Sequence, residues 1–199
     1  MFGAVFYINL DHRVDRKSQI EAEMETLNWT HLTTRIPAVY TPENGAKGCL
    51  LSHILALQTF LATGLEHALI LEDDITFVTN PKVHVEEFLD EHKDSSSWDV
   101  LMLASATYAQ APYKSYAIKV LSAQTTSAYA VTRPFAAKLL QFWESTIPRF
   151  EDRLLGFPEC DMSWKELQPC SNWFCIHPKL AVQRPGYSDI QKRFEDYGV

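Results

Sequence analysis

Three consecutive carboxylates close an apolar run in Leu69-Ile70-Leu71-Glu72-Asp73-Asp74-Ile75-Thr76-Phe77. Such a run reads as a buried strand with acids at its C-terminal end, where open α/β sheets bind ligands. Side chains alternate along a strand, so Glu72 and Asp74 are expected on one face and Asp73 on the other. Converging carboxylates repel unless a cation joins them. Hard oxygen ligands beside an anionic phosphate suit Mn²⁺ or Mg²⁺. A solvated turn carries the same residues, so the triplet alone leaves both readings open. Glu72-Asp73-Asp74-Ile75-Thr76 also resembles the D-x-D-x-T pattern of aspartyl-phosphate phosphatases. There the first acid is the nucleophile and should be aspartate at the end of the first strand; here it is Glu72, after a third.

The elements that must hold these acids alternate. Residues 4–10 form an apolar β-rich run, and Ile20, Met24 and Leu27 follow at helical spacing. Residues 36–39 predict a second strand, closed by the loop Thr41-Pro42-Glu43-Asn44-Gly45-Ala46-Lys47-Gly48. Leu50, Ile54, Leu57 and Leu61 then recur on one helical face until Gly64. Strands are expected at 68–71, 75–78 and 98–104, with a helix over 83–92. Alternating strands and helices build a mostly parallel sheet covered on both faces. Beyond residue 104 strands are expected at 116–122, 127–132 and 180–183. Helices are expected at 134–145 and 161–167, and a polar, fraying tail from 191.

The chain has 199 residues, 46% of them hydrophobic, and a net charge of -7. That is the size and make-up of one globular domain. Lys and Arg are scattered, which argues against nucleic acid as a partner. No run of about 18 apolar residues is present, so no membrane span is expected. The N-terminus lacks the basic region and cleavage site of a secretory signal. Cys49, Cys160, Cys170 and Cys175 form no C-x-x-C pair and read as reduced thiols of a cytoplasmic protein.

Order and spacing add a resemblance. The opening strand Tyr7-Ile8-Asn9-Leu10 is followed by Arg13 and Arg16. Then come Gly48-Cys49-Leu50-Leu51-Ser52-His53, the Leu71-Glu72-Asp73-Asp74 strand end, and Trp98-Asp99. Thr126-Ser127-Ala128-Tyr129 and Ser188-Asp189-Ile190 complete the set. Together these resemble glycosyltransferase family 25, which contains lipopolysaccharide and collagen-type galactosyltransferases.

The resemblance implies a GT-A, Rossmann-like α/β fold over residues 1–199. About 1–104 would bind the nucleotide sugar and about 105–199 the acceptor. It implies inverting, metal-dependent transfer of a hexose from a UDP-sugar to a hydroxyl of a glycan or glycoprotein. Glu72 and Asp74 would be the metal ligands. Asn9, Leu10, Ala38 and Val39 would lie along the base and ribose, with Asp73 nearby and Tyr40 at the end of the second strand. Arg13, Arg16 and Lys47 would face phosphate, Lys47 together with the amides at the helix N-terminus. Ser188 and Asp189 would close over the donor; a Pro-Gly turn with a serine cap has the same residues. Inversion requires a base across from the leaving group. Asp161 is the candidate, with Glu159 the alternative and helix capping the competing role. Trp164 is an expected acceptor-stacking residue. His53 is expected to pack or hydrogen-bond rather than bind metal, and His177 matches no motif. A nucleotide-sugar-binding protein without turnover is the alternative reading.

Overall fold

The computed structural model describes residues 2–93, 97–151 and 159–198. Its strands and helices follow in chain order. They are β1 (Val5–Asn9), α1 (Val14–Thr26), β2 (Thr33–Pro37), α2 (Gly45–Thr63), β3 (His67–Glu72), β4 (Ile75–Phe77) and α3 (Lys82–Glu91). Next come β5 (Val100–Met102), β6 (Ala106–Pro112), β7 (Ala117–Gln124), β8 (Ala128–Thr132) and α4 (Arg133–Thr146). The last are α5 (Cys160–Ser163), β9 (Trp173–Ile176), β10 (Ala181–Gln183), β11 (Gly186–Ser188) and β12 (Arg193–Glu195).

Eight strands form one sheet in the order β2-β1-β3-β8-β5-β9-β7-β6. Pairing is parallel at β1–β2, β1–β3 and β5–β9, and antiparallel at β3–β8, β5–β8, β7–β9 and β6–β7. Those directions leave β7 and β8 running against the other six strands. The central strands are apolar throughout because both faces are covered. Phe6, Ile8 and Ile70 pack with Leu50, Leu57 and Phe60 of α2 and Trp143 of α4. Val5, Tyr7, Leu69 and Leu71 pack on the opposite face with Ile20, Met24, Val85 and Phe88.

Several boundaries depart from expectation. α2 starts at Gly45 because the Asn44 side chain accepts the Lys47 N–H at 3.1 Å and caps the helix one turn early. Gly64, with φ 80°, ends it in the left-handed conformation glycine favours. β6 and β9 were not expected. β6 is Ala-rich, exposed and irregular in register, so its pairing with β7 rather than its own propensity makes it a strand. The expected fraying tail instead contributes β12, paired with β11. Among the described residues, no helix is long and apolar enough to cross a membrane.

One glycine in this frame is fixed by close approach. A Cβ on Gly48 would lie 2.4 Å from Thr41 Oγ1 and 2.6 Å from the Val39 carbonyl oxygen. The second obstacle is backbone and cannot rotate away. Gly48→Ala is therefore expected to cost about 1–3 kcal/mol, the scale of overpacking. Chemical denaturation checks it.

Candidate active site

β1, β2 and β3 run parallel, so Asn9, Pro37 and Glu72 end at one edge of the sheet. β8 runs against them, so Thr126 and Ser127, which lead into it, reach the same edge. A cavity of about 550 Å³ opens there. Asn9, Leu10, Arg13, Arg16, Ala38, Val39, Tyr40, Glu72, Asp73 and Asp74 line it. From later in the chain come Thr126, Glu159, Asp161, Ser188 and Asp189.

The alternation expected for the acids stops with the strand. β3 ends at Glu72, and Asp73 and Asp74 form the turn into β4. Glu72 Oε1 accepts the Thr126 hydroxyl at 2.7 Å and stands 3.3 Å from His53 Nε2. Asp73 and Asp74 share a different partner: Arg16 Nη1 lies 3.2 Å from Asp73 Oδ1 and 2.8 Å from Asp74 Oδ2. Asn9 Nδ2 donates to Asp73 Oδ2 at 2.7 Å, and Asn9 Oδ1 accepts the Arg35 Nε–H at 3.0 Å. Gln183 Nε2 donates to Asp74 Oδ2 at 3.1 Å. Arg35 has no signal in the sequence because a single polar residue in a strand carries no spacing, whereas Gln183 opens the late segment that resembles the family's Q…SDI element.

Asp74 Oδ1 is buried and has no hydrogen-bond partner among the described residues. Burial, then the charge of Glu72, push the Asp74 carboxyl up to about 7 against the pull of Arg16. Burial would also raise Glu72, but His53, Thr126 and Arg16 hold it below its ordinary value. Asp73 is raised by burial in spite of Asn9 and Arg16. A buried carboxylate oxygen with no partner among the described residues, close to the partly exposed Glu72, suits a divalent cation. Glu72 and Asp74 are the residues that would hold it.

A pH dependence follows. A raised Asp74 stays neutral in the folded chain while it ionises in the unfolded chain. Its contribution is therefore present below the ordinary carboxylate value and lost as pH rises toward about 7. Without divalent ions, Asp74→Asn is expected to gain in melting temperature relative to the native chain between pH 4 and pH 7. Scanning both chains across that range checks it.

Asp161 does not cap α5. Glu159 holds the cap position, without a side-chain bond, and Asp161 lies inside the first turn. Its Oδ2 accepts the Thr125 N–H at 3.2 Å. Burial raises the Asp161 carboxyl, Thr125 opposes this, and Glu159 and Glu72 add to it. Thr125 has φ 75°, rare for a β-branched residue and common where function holds a strained backbone. Phe157 and Pro158, which lead into this segment, lie outside the described residues.

Arg13 bonds Asp189 at 2.6 Å and Asp15 at 3.0 Å, and Arg16 Nη2 donates to the Tyr187 carbonyl at 2.9 Å. The segment carrying Ser188, which lines the cavity, is thus fastened to the start of α1. Ser188 Oγ also accepts the Gln191 N–H at 3.1 Å, so the turn-capping role is present too.

Two expectations fail. Lys47 is not among the lining residues, because the earlier helix start moves it away and Asn44 already occupies its N–H. Trp164 is fully buried against Trp143, Trp173 and Tyr129 and is a core residue. His177 is exposed and outside the cavity. His53 is buried and hydrogen-bonded, as expected; Tyr129 OH lies 3.2 Å from its Nδ1.

A large mixed sheet with helices on both faces and an acid-lined cavity at its C-terminal edge defines the GT-A class of fold. Solved structures agree. A glycosyltransferase involved in glycosylation of the major capsid of PBCV-1 matches with a TM-score of 0.57 at 13% identity, over 95% of this chain and 96% of that one. A197 from STIV matches with a TM-score of 0.55 at 10% identity, over 98% and 95%.

The family model described as glycosyltransferase family 25 (LPS biosynthesis protein) matches residues 41–154, and the chain belongs to that family. A human relative, "Inactive glycosyltransferase 25 family member 3", is 27% identical over 165 residues. The match takes in 69% of this chain but spans only about a quarter, 27%, of the relative's length.

Proposed function

We propose that the chain is an inverting glycosyltransferase that moves a hexose from a UDP-sugar to a hydroxyl of a glycan or glycoprotein. The observation that carries the reading is one cavity with two separate acid sets: Glu72, Asp73 and Asp74 at the sheet edge, and Asp161 from the later half. Family membership supports it.

In this reading Leu10, Ala38, Val39 and Tyr40 make the wall for uracil, and Asn9 and Asp73 the polar edge for ribose. Two of the cavity arginines are already engaged, Arg16 with Asp73 and Asp74 and Arg13 with Asp15 and Asp189, while Arg184 and Lys192 also line the cavity. An additional positive charge beside Glu72, Asp73 and Asp74 would favour a diphosphate there. Mn²⁺ or Mg²⁺ held by Glu72 and Asp74 would supply Lewis-acid stabilisation of the departing nucleotide. Asp161, raised by burial, accepts the acceptor hydroxyl's proton as the glycosidic bond forms. Asp189 and Ser188 hold the strap over the donor.

The experiment is a thermal-shift panel of nucleotide sugars with Mn²⁺, with Mg²⁺ and with EDTA. UDP-sugars are expected to raise the melting temperature clearly only with the cation, because ligands stabilise the state that binds them. Equal shifts in EDTA remove the metal from the reading. A relative named inactive favours one second reading, nucleotide-sugar binding without turnover. Binding with neither transfer nor hydrolysis over a broad acceptor panel selects it.

A further inference from the structure

Cys49, His53 and Cys160 form a cluster that the proposed transfer does not use. One ligand atom from each lies within 4.8 Å of the others. Cys49 and His53 are four residues apart on α2, the spacing that puts two side chains on one helix face. Cys160 arrives from α5. The two sulfurs are 3.5 Å apart. A disulfide requires about 2.0 Å. Two thiolates on one tetrahedral zinc, with bonds of about 2.3 Å, lie about 3.8 Å apart. The observed separation is near that tetrahedron edge.

The surroundings favour a cation as well. Two cavity carboxylates flank the cluster: Glu72 Oε1 lies 3.3 Å from His53 Nε2, and Asp161 follows Cys160 in α5. Their negative charge favours a positive ion there. Both ring nitrogens of His53 have oriented neighbours, Tyr129 at Nδ1 and Glu72 at Nε2. Ligation exchanges one of these two bonds for the metal and leaves the other to hold the ring, the arrangement that fixes ligating histidines. Thr126 Oγ1, 3.5 Å from Cys160 Sγ, adds a polar neighbour. Cys49, His53 and Cys160 all line the cavity, which gives an ion a way in.

We infer that Cys49, His53 and Cys160 form a three-ligand site for a thiophilic divalent ion, Zn²⁺ by its ligand chemistry, with a fourth position open to the cavity. Sulfur and imidazole select zinc, whereas the carboxylates at the strand end suit Mn²⁺ and Mg²⁺. Binding replaces two S–H bonds with metal–sulfur bonds and releases both protons to solvent; no group is oxidised. The ion would join α2 to α5 beside Asp161.

The test uses the full chain, reduced and stripped of metal, without nucleotide or acceptor, so failure of sugar transfer has no bearing on it. Co²⁺ is the probe. One ion per chain is expected, with thiolate-to-cobalt charge-transfer absorption that Zn²⁺ abolishes and excess Mn²⁺ does not. Cys49→Ser and Cys160→Ser should each weaken binding by more than the ~100-fold seen for lost outer-shell partners. Exposed Cys170→Ser should leave it unchanged. A reduced native chain without this absorption overturns the site. So does full absorption in Cys49→Ser. Should mild oxidant instead close a Cys49–Cys160 disulfide in a chain that gives no cobalt absorption, the pair is a redox couple and not a metal site.

Discussion

Asp161→Asn is expected to lower sugar transfer by at least ~100-fold, the scale of losing a general base, while UDP affinity and its metal dependence persist. A sugar hydroxyl attacks poorly unless its proton is taken as the new bond forms. That acid cannot come from Glu72, Asp73 or Asp74, which face the departing diphosphate in the proposed mechanism. Asp161 comes from a different element and lines the same cavity. Asparagine keeps the shape and can still accept the Thr125 N–H, now 3.2 Å away. The stability cost should therefore stay below about 1.5 kcal/mol, the net worth of a typical hydrogen bond. Burial raises the Asp161 carboxyl, so the native rate should climb with pH above the ordinary carboxylate range, and the variant should lose that limb. Rate, donor affinity and melting temperature measured on one preparation decide it. Near-normal transfer would pass the role to exposed Glu159, and joint loss of fold and activity would make Asp161 structural.

Asp74→Asn should be as damaging, for a different reason. Its Oδ1 is buried and unpartnered among the described residues. The amide removes the charge and almost none of the volume. The stabilisation of UDP by Mn²⁺ is expected to vanish. Transfer should fall by about 1000-fold or more, since Lewis-acid stabilisation is worth several kcal/mol and about 1.4 kcal/mol is tenfold in rate. Asp73 remains to engage Arg16, so the fold should persist. Titration calorimetry with UDP, with and without Mn²⁺, separates the outcomes. An unchanged metal effect in Asp74→Asn would move the cation to other ligands.

Much of this arrangement is legible in the sequence because strong local signals coincide with it. The apolar run ending at Glu72 fixed the strand and its acidic end, and Gly64 fixed the end of α2. Partners were not legible. That Arg16 joins Asp73 to Asp74 depends on a turn that ends the two-residue period, which strand periodicity cannot foresee. Lys47 was placed by a helix start read at Gly48, whereas Asn44 capping sets it at Gly45. Trp164 was assigned to sugar because it neighbours Asp161, but three aromatic contacts across the core claim it. Thr126 and Tyr129 were visible only as part of a motif. Their bonds to Glu72 and His53 span more than fifty positions.

The strand order has a consequence for how the chain reaches its native state. β8, from residues 128–132, lies between β3 and β5, and β9, from residues 173–176, lies between β5 and β7. A nascent chain of 104 residues has both neighbours of β8 and nothing to put between them, leaving unpaired backbone on each. Pairing at β3 and β5 therefore waits for contacts distant in sequence, which slow folding. The repulsion between Glu72 and Asp161 is thereby deferred, because these two carboxylates meet only when the segment carrying Asp161 has arrived.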